Sequence, residues 1–124
     1  MAQTRQILQA NDNVQDSLSE AMRHVPAHMR TKVALKFQAL FEMYQEGTDW
    51  RVPAQCNVEG ELEDRRKFLA VKVQQVRCYG WYHRGNFVIS HYIYKKQQKL
   101  SKADTRAVQE NYRAWLQTIG EDNE

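Results

Sequence analysis

Apolar positions change their spacing along this chain, and the changes mark out its elements. In "NDNVQDSLSEAMRHVP", Val14, Leu18, Ala21 and Val25 recur at helical spacing, Asn11 to Asn13 offer an N-cap, and Pro26 ends the run. That spacing predicts a helix near 13–25. The stretch 28–46, "HMRTKVALKFQALFEMYQE", places Met29, Val33, Phe37, Leu40, Phe41 and Tyr44 on one side, with Gly47 as a C-terminal stop. The two helices are expected to form a hairpin about Pro26 with one shared apolar face. Ahead of them, "TRQILQA" (4–10) suits a short first strand.

Residues 47–66 contain Gly47, Gly60, Pro53 and several Asp and Asn, and are expected to be loop. Beyond them the period becomes two. "FLAVKVQQ" alternates Leu69, Val71 and Val73 against Ala70, Lys72 and Gln74, and "VRCYGWYH" sets Val76, Cys78 and Gly80 against Arg77, Tyr79 and Trp81. "NFVISHYIY" places Phe87, Ile89 and Ile93 on one face, with Val88, Ser90, Tyr92 and Tyr94 on the other. "HRGN" makes a tight hairpin, with Gly85-Asn86 supplying the turn. The last element, "SKADTRAVQENYRAWLQTIG", opens on a Ser101/Asp104 capping pair, carries the stripe Val108, Tyr112, Trp115 and Ile119, and is expected to stop at Gly120. The order predicts one α+β domain over 1–124, with frayed ends at 1–3 and 121–124: a mostly antiparallel sheet, an N-terminal helical hairpin on one face and a C-terminal helix.

Composition narrows the function classes. The chain is 124 residues long and 42% apolar, enough for one core. No run approaches the roughly 18 apolar residues of a membrane span, and "MAQTRQILQANDN" lacks the apolar segment of a secretory signal, so a cytoplasmic protein is expected. Cys56 and Cys78, with no CxxC, fit reduced thiols rather than a disulfide scaffold or zinc site. His24 and His28 straddle Pro26 and cannot share a regular helical face, while His83 and His91 suit surface polar positions, so no metal is expected. GxGxxG, P-loop, GxSxG and HExxH motifs are absent.

Charge adds the decisive asymmetry. The net charge is +3, but residues 65–106 hold eleven Lys and Arg and a single acid, Asp104. A cationic block of this kind suits phosphates, although a solvated face covered by an acidic partner fits it too. With the helices on the Leu69/Val71/Phe87 face, the other face would show Lys72, Arg77, Tyr79, Trp81, Ser90, Tyr92 and Tyr94, extended by Lys95, Lys96, Lys99 and Lys102. Rings among cations are what single-stranded nucleic acid requires: bases stack while Lys and Arg follow the backbone. Tyrosines so placed also serve as cross-strand packing pairs.

The run from "LAVKVQQVRCYGWY" through "VISHYIYKKQQKLSKADTRAVQENYRAW" resembles the C-terminal half of the RelE/HigB-type toxins of toxin-antitoxin systems, most specifically over residues 69–113. That group ends in a hydrophobic strand, an aromatic residue, a K-K-x-Q-K run and a final helix, which "YIYKKQQKLSKADTRAVQENYR" matches. The resemblance implies a small RelE-like, microbial-RNase-like fold that enters the ribosomal A site and cleaves mRNA, with no cofactor or metal, through attack by the RNA's own 2′-hydroxyl. It implies a cognate antitoxin as partner. By position it assigns Arg77 to phosphate stabilisation, Lys95 or Lys96 to proton transfer and Tyr94 to orienting the nucleotide, with Lys72 and Lys99 also on family positions. Tyr79, Trp81, Tyr92 and Lys102 complete the expected RNA-binding set from the face argument. The chain departs from the family pattern at Ala70, in place of the E-L-R glutamate, at Gln97, in place of a threonine, and at Ser101, in place of a proline. The rival expectations are a catalytically inactive phage or mobile-element protein of the same fold that binds RNA or inhibits a host nucleoprotein complex, and a structural phage protein.

Overall fold

The computed structural model describes residues 4–96 and 100–122. In chain order its elements are β1 (Ile7–Gln9), α1 (Val14–Arg23), a 3-10 turn (Ala27–Met29), α2 (Arg30–Gln45), β2 (Cys56–Glu61), β3 (Lys67–Val73), β4 (Val76–His83), β5 (Asn86–Tyr94) and α3 (Lys102–Asp122). The fold is α+β. Its five-stranded sheet runs β1-β5-β4-β3-β2 and is antiparallel except where β1 pairs parallel with β5.

The helical hairpin forms where the apolar spacing places it. Val14, Ala21, Val33, Phe37 and Tyr44 are buried against the sheet. Gly47 ends α2 at φ +104, its N–H donating to Tyr44 O and that of Thr48 to Met43 O, both at 3.0 Å. This is a Schellman closure, which needs the left-handed conformation that glycine adopts without strain.

Three expected boundaries are corrected. Part of the stretch 47–66 is strand β2, paired antiparallel with β3 from Cys56↔Val71 to Glu61↔Lys67. It is an edge strand, bulged between Val58 and Gly60, so its polar residues do not alternate cleanly. The β4–β5 turn is Arg84-Gly85, at φ 51 and 82, rather than Gly85-Asn86. Asn86 already pairs with His83, and its side-chain oxygen accepts from Gln6 N at 3.0 Å. Finally, α3 continues past Gly120 to Asp122. The fraying expected at 1–3 and 123–124 falls outside the described residues.

The largest correction concerns the sheet faces, because both are covered. α1 and α2 bury Leu69, Val71, Val73, Val76, Cys78, Phe87, Ile89 and Tyr92. α3 covers the opposite face, packing Val108, Tyr112 and Trp115 on Phe68, Ala70, Tyr79, Trp81 and Val88. Along β5 the strict alternation breaks at one residue. Tyr79 pairs with His91 but Gly80 pairs with Ile89, which leaves Ser90 as a bulge. Beyond it the faces exchange: Tyr92 and Tyr94 turn to the helical hairpin, and Ile93 joins the α3 side.

Cys56 and Cys78 are free and buried. Among the described residues no helix is long and apolar enough to cross a membrane.

Candidate functional site

The chain leaves β5 beside the β3–β4 turn, where Lys95 N donates to Gln75 O at 2.7 Å. Leu100 packs on the α3-side core and Ser101 caps α3. The end of β5 and the start of α3 therefore approach each other. Between them lies a cleft of about 260 Å³ lined by Tyr79, Ile93, Tyr94, Lys95, Lys96, Ser101 and Asp104.

Polar contacts fix one wall of this cleft. Asp104 N donates to Ser101 Oγ at 3.0 Å, and Ser101 Oγ donates to Asp104 Oδ2 at 2.7 Å. The other carboxylate oxygen, Oδ1, lies 3.4 Å from His91 Nε2, while His91 Nδ1 is 2.9 Å from Ser90 Oγ. Asn111 of α3 donates through Nδ2 to Ser90 Oγ at 2.9 Å and to Ser90 O at 3.3 Å. Ser90, His91 and Asp104 thus have the composition of a nucleophilic triad without its function. Ser90 is 1% exposed and its oxygen is already used by Asn111, so no substrate can reach it.

Burial shifts the groups around this wall. It raises the Tyr79 phenol well above its usual value, with Asp104 and Glu59 adding to the effect and Arg77 opposing it, so the hydroxyl stays a donor. Burial also lowers His91, which Asp104 partly restores, and so favours the neutral ring.

The cleft brings together Tyr79, Tyr94, Lys95 and Lys96 of the expected site. Arg77 does not line the cleft; it lies on β4 two residues before Tyr79, on the same face of the strand. Its Nη1 donates to Gln74 O at 2.6 Å and to Val76 O at 3.2 Å, and its Nε is buried with no partner among the described residues. Lys72 pairs with Arg77 across the ladder but lines a separate cavity of about 490 Å³ with Lys36 and Arg51. Lys102 is exposed on the first turn of α3, and Lys99 lies outside the described residues.

Tyr79, Trp81 and Tyr92 cannot serve as stacking planes. Tyr79 has no exposed surface and lies between the Phe68 and His91 rings, at 6.3 and 5.3 Å. Trp81 is 1% exposed, enclosed by Tyr112 and Trp115 at ring separations of 5.0 and 5.7 Å. Tyr92 is 5% exposed and meets Phe37 edge-on on the hairpin side. The expected open aromatic face does not exist, because α3 needs that apolar surface to bury its own stripe. Conversely, Asp104 lines the cleft and His91 stands behind it, although the sequence suggested only a cap and a surface residue. The available signal was Asp104 as the lone acid of the basic block.

Compared with known proteins, the chain matches no protein-family model and no curated protein sequence.

Proposed function

We propose that the protein is an endoribonuclease of RelE/HigB type, an mRNA interferase that cuts ribosome-bound mRNA in the A site and is held in check by a cognate antitoxin. One observation carries this: the cleft at the end of β5, where Tyr94, Lys95 and Lys96 converge with Tyr79 at the start of α3. In sequence these residues form the part of the chain that resembles the family most specifically.

The chemistry needed is modest. The 2′-hydroxyl oxygen attacks the adjacent phosphorus, the bond from phosphorus to the 5′-oxygen breaks, and a 2′,3′-cyclic phosphate and a 5′-hydroxyl result. The protein must neutralise charge on the pentacoordinate phosphate and handle two protons. Lys95 and Lys96 supply cations at the cleft, and Arg77, tethered to the β3–β4 turn outside the cleft lining, adds a fixed charge that acts on Tyr79. Tyr94 offers a ring to a splayed nucleotide, whereas Tyr79 is wholly buried in the cleft's floor.

The inactive binding protein is the second reading, and Ala70 favours it. It stands at the family's glutamate position and is wholly buried under α3, so no carboxylate reaches the cleft from there.

The test is induced expression of the wild type, Arg77→Ala and the double variant Lys95→Ala/Lys96→Ala in a bacterium lacking an antitoxin, with growth and mRNA 5′ ends followed. Arrest with new ends at ribosome-protected positions, lost in the variants, supports the nuclease. Normal growth with no new ends overturns it and leaves the binding protein.

A further inference from the structure

We infer that Asp104 is the proton acceptor of the cleft and that His91 is the residue that positions it, an assignment that rests on the nuclease reading above. The argument begins with what the cleft lacks. Alkylammonium groups such as those of Lys95 and Lys96 are proton donors at neutral pH, as is a buried phenol like that of Tyr79. A carboxylate is the one side-chain type among the lining residues whose neutral-pH form accepts a proton, and Asp104 supplies it.

The network behind Asp104 has a defined proton order. The carbonyl oxygen of Ser90 can only accept, so the Asn111 atom facing it must be the amide nitrogen, which fixes the side-chain amide. The same nitrogen donates to Ser90 Oγ, leaving the serine hydrogen free to point at His91 Nδ1. Asp104 Oδ1 as a carboxylate oxygen can only accept, so a neutral His91 carries its ring proton on Nε2, which leaves Nδ1 as the acceptor for the serine hydrogen. The groups facing His91 are Ser90 on its own strand, Tyr79 from β4, and Asp104 and Asn111 from α3. Asp104 is the one ionic group among them. A neutral imidazole at 3.4 Å orients the carboxylate without quenching its basicity. A protonated one would add a full positive charge and make Asp104 a poorer base.

The step balances. As the bond from the 2′-oxygen to phosphorus forms, its proton passes to the Asp104 carboxylate. As the bond to the 5′-oxygen breaks, that oxygen takes a proton from the ammonium of Lys95 or Lys96. The resulting carboxylic acid and amine are reset by exchange with water.

The experiment uses the full chain, with programmed ribosomes carrying an end-labelled mRNA, and compares wild type, Asp104→Asn and His91→Gln across about pH 5.5 to 8.5, where imidazole titrates. Asparagine keeps an oxygen for Ser101, and melting curves check that each variant is folded. Asp104→Asn is expected to slow single-turnover cleavage by about 10²–10⁴-fold with ribosome binding retained. His91→Gln, whose amide still donates to Asp104, is expected to move the acid limb of the pH–rate profile to lower pH. Nitrogen-detected NMR of His91 is expected to find the proton on Nε2. Wild-type cleavage matched by Asp104→Asn overturns the acceptor and leaves the nuclease standing. An acid limb unmoved in His91→Gln, or a proton on Nδ1, overturns the positioning role. Intact mRNA with the wild type overturns the nuclease reading and this inference with it.

Discussion

Ser101 and Asp104 hold each other reciprocally: the serine oxygen accepts the Asp104 N–H at 3.0 Å and donates its own hydrogen to Asp104 Oδ2 at 2.7 Å. The pair satisfies one of the free amides at the start of α3 and sets the carboxylate facing the cleft. One device therefore serves both stability and the site. Ser101→Ala is expected to cost about 1 kcal/mol. In thermal unfolding it should lower Tm by about 4 °C. An unchanged Tm would mean that the capping bond contributes nothing and that Asp104 is oriented by His91 alone.

Gly80 permits the close approach of β4 and β5. A Cβ there would lie 2.2 Å from Val88 O and 2.5 Å from a ring carbon of Phe87, distances that no repacking of a flexible tip relieves. Gly80→Ala is expected to destabilise by about 3 kcal/mol. Gly120→Ala makes the matching control. Position 120 has open space around it in the last turns of α3, so alanine there should stabilise by up to about 1 kcal/mol through helix propensity. Chemical denaturation of both variants checks the pair, and equal effects would contradict it.

Much of this architecture was legible in the chain. The two periodicities located α1, α2, β3, β4, β5 and α3, and Gly47 and Ser101 act as the stop and cap that their positions imply. What escaped has physical causes. β2 is an edge strand with hydrogen bonds on one side and a bulge, so nothing forces its residues to alternate. The bulge at Ser90 moves Tyr92 and Ile93 to faces opposite to those that strict alternation assigns, and a single inserted residue leaves no mark on composition. The covering of Tyr79 and Trp81 was written in two places at once, the aromatic face and the stripe Val108, Tyr112 and Trp115, but pairing the two requires the tertiary fold. Within the site, Tyr94, Lys95 and Lys96 were visible as a linear run. His91 was not, because its role depends on Asp104 and Asn111, which arrive from a different element.

Trp81 carries an unusual liability for a core residue. Its Nε1 is buried and has no acceptor among the described residues. An unsatisfied buried N–H costs about 1–3 kcal/mol, which offsets part of what the large ring contributes. Trp81→Phe removes the orphan while keeping aromatic contact with Tyr112 and Trp115, so its stability should lie within about 1 kcal/mol of wild type. Trp81→Ala should cost about 3–5 kcal/mol. Urea midpoints of the two variants give the comparison, and a phenylalanine variant as unstable as the alanine one would show that the indole is satisfied in solution.

α3 is held at its middle by a clasp onto the β2–β3 connection, and the clasp should make stability depend on pH at both extremes. Tyr112 Oη donates to Asp64 Oδ2 at 2.5 Å, and Arg113 pairs with Glu63 one residue away. Desolvation disfavours the Asp64 carboxylate, but the bonds from Tyr112 and the Arg66 backbone, with the Arg66 charge, outweigh it and hold its pKa below the usual carboxylate range. A carboxyl lowered in the folded state stabilises above its unfolded pKa, roughly 4, and that stability is lost as pH falls through the folded value. Burial first, and then the Asp64 bond, push the Tyr112 phenol up to about 12. A phenol raised in the folded state stabilises below its unfolded pKa, about 10, and the contribution is lost as pH climbs towards the folded value. Tyr112→Phe should therefore lower Tm at pH 7 by about 4 °C, a figure discounted for the solvent exposure of Asp64. The gap between variant and wild type should narrow below about pH 3 and again above about pH 11, where the clasp loses its charge or its proton. Melting curves across that range decide the matter: a gap that stays constant with pH would mean that Tyr112 acts through packing against Trp81 and not through Asp64.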